Sequence, residues 1–90
     1  MDRYVVERSV PGAGSMSDQE IHDLSARYNR VTSQLGGGIV WVESFVGDDR
    51  LFCVYEAERP ALIREHAALG GFPCDRMEPV RRTISPADGR

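Results

Sequence analysis

Apolar and polar positions alternate from Arg3 to Val10, setting Tyr4, Val6 and Arg8 against Val5, Glu7 and Ser9, until Pro11-Gly12 interrupts the run. Alternation closed by a turn pair predicts a strand. From Ser17 onward the spacing changes. Ile21, Leu24, Tyr28, Val31 and Leu35 recur at steps of three and four, with Arg27, Asn29 and Arg30 off the stripe. That spacing predicts an amphipathic helix. Ser17-x-x-Glu20 is a capping-box pattern at its start, and Gly36-Gly37-Gly38 ends it, because glycine accepts the left-handed conformation found just past helix ends.

Two β-rich runs, 38–46 and 50–57, flank Asp48-Asp49 and predict a hairpin. With those aspartates as the loop, Ser44 faces Cys53, Glu43 faces Val54 and Trp41 faces Glu56. One face then carries Val40, Val42 and Ser44 with Leu51, Cys53 and Tyr55. The other carries Trp41, Glu43 and Phe45 with Phe52, Val54 and Glu56. Neither is a water face, and a sheet apolar on both sides needs cover on both.

Pro60, near a first helical turn where its missing N–H costs nothing, opens a second helix. Leu62, Ile63, His66, Ala67 and Leu69 are expected along one side of it, and Gly70-Gly71 ends it. Residues 77–84 predict a last strand, placed at an edge because Pro79 cannot donate to a ladder. The chain is therefore expected to form one domain over 1–84, with 85–90 a loose tail. The order β-α-β-β-α-β is that of the α+β ferredoxin-like fold, an antiparallel sheet with both helices on one face. For so short a chain the simplest cover for the other face is a second copy of the same sheet. The expectation is a homodimer, closed as a dimeric α+β barrel.

Three stretches carry a family resemblance: RYVVERSVPGAG, WVESFVGDDRLFCVYEA, and LIREHAALGGFPCDR followed by VRRTI. Together, over about residues 3–84, they resemble a small ferredoxin-like bacterial family of formerly unknown function that includes an actinobacterial nickel-binding protein. The resemblance implies a dimeric α+β barrel and a role in holding nickel. It carries over no ligand set, and a shared fold does not settle a site.

Composition narrows the classes. Ninety residues form a thin core, which again favours a second copy. A formal net charge of −3 argues against nucleic acid, whose binders need a basic surplus to neutralise phosphate. No apolar run reaches the length of a membrane span, and the charged start MDRYVVERSV lacks a secretory core, so the expected location is cytoplasmic. Two cysteines are too few for a disulfide framework, and the absence of CxxC excludes a zinc ribbon. PGAGS lacks the Gly-Lys ending of a phosphate loop.

His66 lies on the apolar side of its helix, and a neutral imidazole there suits nickel, another divalent transition metal, or general-base work. Glu43 and Glu56 sit inside apolar strands, diagonally adjacent in the expected register. Carboxylates so placed want a metal or a cation such as Arg3, Arg8 or Arg82. A His66–Glu43–Glu56 metal site requires the Trp41 face to be the helix-covered one, or His66 to sit near a sheet edge. Otherwise His66 meets Cys53 and Tyr55, and the carboxylates line the dimer interior. Trp41, Tyr55 and Phe72 are expected as walls of the core or of a pocket for a small organic ligand. Cys74 is expected as a partly buried structural thiol, Cys53 as a core residue, and His22 near the surface.

Two functions follow from these expectations. One is a non-catalytic protein that sequesters or buffers nickel as a homodimer. The other is a cofactor-free enzyme, monooxygenase- or isomerase-like, with a closed apolar pocket around His66, Trp41 and Tyr55.

Overall fold

The alternation of Tyr4, Val6 and Arg8 becomes the inward face of a first strand, β1 (Asp2–Ser9), in a computed structural model that describes residues 1–90. A short 3-10 turn at Ala13–Ser15 leads into helix α1 (Asp18–Leu35). The capping box is present in both directions. Glu20 N–H donates to Ser17 Oγ at 3.1 Å, and Ser17 N–H donates to Glu20 Oε1 at 3.0 Å. Gly36 closes the helix at φ 77°, a conformation that a Cβ disfavours.

Strands β2 (Ile39–Val46) and β3 (Arg50–Ala57) form the hairpin, followed by helix α2 (Pro60–Gly70) and a short strand β4 (Arg76–Pro79). The sheet order is β2-β3-β1-β4, antiparallel throughout. This is the α+β ferredoxin-like arrangement, with both helices on one face. No helix is long and apolar enough to cross a membrane.

Pairing of Tyr4 with Tyr55, Val6 with Cys53 and Arg8 with Leu51 stacks these side chains under the helices. Tyr28 and Val31 descend from α1, and Leu62, Ile63, His66 and Ala67 from α2, all buried. Phe72 joins them after the helix end. Its N–H donates to the Ala67 carbonyl at 2.8 Å, which turns the chain back and sends its ring into the core.

Four expectations are corrected. The hairpin carries a bulge between Trp41 and Glu43, so Trp41 pairs with Tyr55 rather than Glu56. The final strand stops at Pro79 instead of running to Ile84, because after one more bond, Val80 N–H to the Arg3 carbonyl, the chain leaves the sheet. Leu69 is 60% exposed, since the side of α2 that carries His66 and Ile63 points away from it. Cys74 is exposed, not partly buried, in the turn before β4. The tail folds into a 3-10 turn at Pro86–Gly89, with Ser85 N–H donating to Asp88 Oδ2 at 2.7 Å.

Candidate functional site

Five elements deliver side chains to one place beneath the helices: Arg8 from β1, Tyr28 from α1, Tyr55 from β3, His66 from α2 and Phe72 from the turn after it. Phe72 stacks on His66 with ring centroids 5.3 Å apart and meets the Tyr28 ring edge-on at 4.3 Å. Trp41 closes the far side of Tyr28 at 5.0 Å. The Arg8 guanidinium carbon lies 5.6 Å from the Tyr28 centroid, 5.9 Å from Tyr55 and 5.5 Å from Phe72, an enclosed cation–π geometry.

Hydrogen bonds run through this cluster in one direction. Arg8 Nη2 donates to Tyr55 Oη at 3.0 Å, and Arg8 Nη1 donates to the Pro73 carbonyl. His66 Nε2 lies 3.2 Å from the Tyr28 carbonyl, which can only accept, so Nε2 carries the proton. Nδ1 is left as acceptor for the Tyr55 hydroxyl at 3.4 Å. Both imidazole nitrogens are therefore engaged.

Burial sets the protonation states. It pushes the Tyr55 phenol up to about 12 against the pull of the Arg8 charge, and raises Tyr28 further still, with Cys53 adding to the effect. Neither tyrosine is an anion near neutral pH. Burial also lowers the His66 pKa below its ordinary value; the Tyr28 carbonyl opposes this and the Arg8 charge reinforces it. His66 is thus neutral in the fold.

A folded-state pKa depressed below the unfolded one means that the unfolded chain takes up the proton first as pH falls. Stability should be full above the unfolded value of ~6.5 and should decline below it, levelling off once the folded His66 is protonated too. Urea-unfolding midpoints measured from about pH 7 to about pH 5, above the main carboxylate range, check this. His66→Gln should flatten the profile, and a wild-type midpoint that does not move would contradict the assignment.

Beside the cluster opens a cavity of about 720 Å³, with Arg8, Tyr28, Leu51 and Phe72 among its lining and Glu20, Asp23, Arg27 and Arg30 from α1 around it. A smaller cleft of about 100 Å³ is lined by Trp41, Tyr28 and Leu51. Tyr55 lines neither, so the three expected pocket residues, Trp41, Tyr55 and Phe72, do not share one pocket. No cavity is lined by His66 together with Trp41 and Tyr55, so the cofactor-free enzyme reading is not favoured.

The expected metal ligands are separated. His66 is under the helices, whereas Glu43 and Glu56 lie on the opposite, uncovered face of the sheet with Glu7, Val5, Phe52 and Val54. The helices cover the Cys53 and Tyr55 face, so His66 meets Tyr55 and both carboxylates fall on the other side. The bulge brings Trp41, with Ile39, to the helix side and leaves Glu43 where the expected register put it. Glu56 is paired with Arg3 at 3.5 Å, an exposed contact of small energetic weight. No three histidine, cysteine or carboxylate side chains converge, so one protomer does not fit a nickel ion. His22 is exposed on α1, and Cys53 is fully buried.

Arg8 is the residue that sequence reasoning undervalued. It is fully buried, and no carboxylate reaches it. The signal was its place in the β1 alternation with Tyr4 and Val6, which already set it on the inward side.

Comparison with known proteins sets the fold in context. Residues 4–80 match the family model described as nickel responsive protein, SCO4226-like. The crystal structure of SCO4226 from Streptomyces coelicolor A3(2) superposes with a TM-score of 0.75, covering 91% of this chain and 99% of that one at 10% identity. At that identity the likeness speaks for the fold alone. No curated protein matches the chain.

Proposed function

The chain belongs to the SCO4226-like family of nickel-responsive proteins, and on that footing we propose that it is a non-catalytic protein that binds nickel as a homodimer and buffers or sequesters it. The family match carries this reading. The uncovered sheet face supports the homodimer. Phe45 is 57% exposed there beside Phe52, and Val54 pairs with Val5. Apolar rows of this kind are normally covered, and a second copy offers the matching face.

Glu7, Glu43 and Glu56 sit among those apolar rows. Since one protomer lacks a converging donor set, the ligands on this reading come from two copies, with carboxylates rather than His66 at their centre. Oxygen donors hold nickel less firmly than imidazole, which suits a buffer better than a tight store.

The test is calorimetric titration of nickel into tag-free protein, with sedimentation in parallel. A dimer is expected, along with binding that weakens by about tenfold or more in a Glu43→Gln/Glu56→Gln variant. Affinity no greater than that of a histidine-free control protein sinks the nickel reading. Binding that survives the double change and is lost in His22→Ala places the metal on α1 instead of the sheet.

A further inference from the structure

Of all buried side-chain nitrogen and oxygen atoms in the protein, one has no hydrogen-bond partner: Arg8 Nε. This orphan belongs to a fully buried cation with no counter-charge. Its neighbours offer a phenol oxygen, a backbone carbonyl and three ring faces. Both phenols stay neutral because burial raises them. A buried guanidinium without an anion is an uncommon arrangement, because desolvating the charge is costly unless an opposite charge answers it.

Arg8 also lines the larger cavity, and the lining explains what the answering charge would belong to. Leu24, Leu51, Met16 and Phe72 give the cavity apolar walls. Arg27 stands over the Phe72 ring at 4.7 Å, and Arg30 adds a second cation at the rim. Glu20 and Asp23 share that rim. Three arginines against two carboxylates favour an anion of low charge over a multiply charged one. The volume of about 720 Å³ lies within the range of sites for small organic molecules.

We propose that this cavity is a binding site for a small organic carboxylate, its apolar body against Phe72, Leu51 and Leu24 and its carboxylate bridging Arg8 Nε–H and an Nη–H as a bidentate pair. That pairing is the geometry in which a guanidinium fork matches two oxygens. It satisfies the orphan donor and supplies the missing charge together. The site lies on the helix-covered side of the sheet, away from Glu43 and Glu56, and is independent of nickel.

Phenylacetate serves as the probe, with phenylacetamide as its neutral counterpart and inorganic phosphate as a bodiless anion. The readout is the Arg8 side-chain Nε–H resonance of the wild-type protein. Phenylacetate should shift that signal downfield in a saturable manner, and phenylacetamide should not. Arg8→Lys, which keeps the charge but loses the fork, should weaken phenylacetate binding by about tenfold to a hundredfold. An Arg8 signal unmoved by phenylacetate, or moved equally by the amide, overturns the proposal and leaves Arg8 a structural cation. Phosphate binding as tightly as phenylacetate overturns the organic-carboxylate assignment. Unchanged phenylacetate affinity in Arg8→Lys does so too. If that variant fails to fold, the wild-type resonance still decides.

Discussion

Replacing Tyr28 with alanine is expected to destabilise the protein by about 3–5 kcal/mol, the range for removing a large buried ring. Tyr28 is 1% exposed and touches Trp41, His66 and Phe72 edge-on while presenting its face to Arg8. Four neighbours lose a packing partner at once, and the wall between the cavity and the core is removed. Small domains are stable by only about 5–15 kcal/mol in all, so the variant should be close to unfolding at ordinary temperature. Tyr28→Phe separates ring from hydroxyl. The hydroxyl meets only Cys53 Sγ, at 3.8 Å, so its loss should cost no more than about 1 kcal/mol. Urea or guanidinium midpoints for the two variants check both figures. A Tyr28→Ala cost below that of Tyr28→Phe would show that the ring cluster is not what holds the helices to the sheet.

Gly70→Ala gives the second large effect, and two opposing terms decide its sign. Alanine in place of helical glycine ordinarily gains about 1 kcal/mol. Here the added methyl would fall far inside contact distance of the Phe72 ring. That ring cannot swing aside cheaply, being 7% exposed, stacked on His66 and set edge-on to Tyr28. Overpacking costs about 1–3 kcal/mol in general and more where the neighbour is locked, so the steric term wins and net destabilisation of about 2 kcal/mol is expected. Coupling offers the check. In Gly70→Ala/Phe72→Ala the clash has no partner, so the double variant should be no less stable than Phe72→Ala alone. Strict additivity of the two single costs would show that the methyl is accommodated without moving the ring.

Much of this fold was legible residue by residue. The Ser17/Glu20 capping box, the glycine ends of both helices and the switch from alternation to three-and-four spacing all reappear as structure. These are local effects, set by sterics and by hydrogen bonds a few residues long. The candidate site was legible only in fragments. His66 on the apolar side of α2 was readable from spacing, and Arg8 on the inward side of β1 from alternation. Their meeting with Tyr55 and Phe72 was not, because it joins positions from four separate elements.

The separation of His66 from Glu43 and Glu56 followed one of the two arrangements the register allowed; the placement of Trp41 on the face opposite Glu43 was the least legible feature. Beyond Glu43, alternation holds, and Ser44 faces Cys53 as the hairpin pattern requires. One inserted residue at Val42 then reverses the side on which Trp41 and Ile39 lie. Val42 and Glu43 are both acceptable on an exposed sheet surface, so nothing in their identities announces the bulge.

The sequence by itself thus determined the elements, their order, their caps and hence the ferredoxin-like α+β architecture. Only the tertiary structure decided which sheet face each chemical group occupies and which partners it meets there. The physical reason is that side chains in a strand alternate with a period of two, so a single bulge inverts every facing beyond it. A bulge is selected by how the two sheet faces pack, not by the residues that form it.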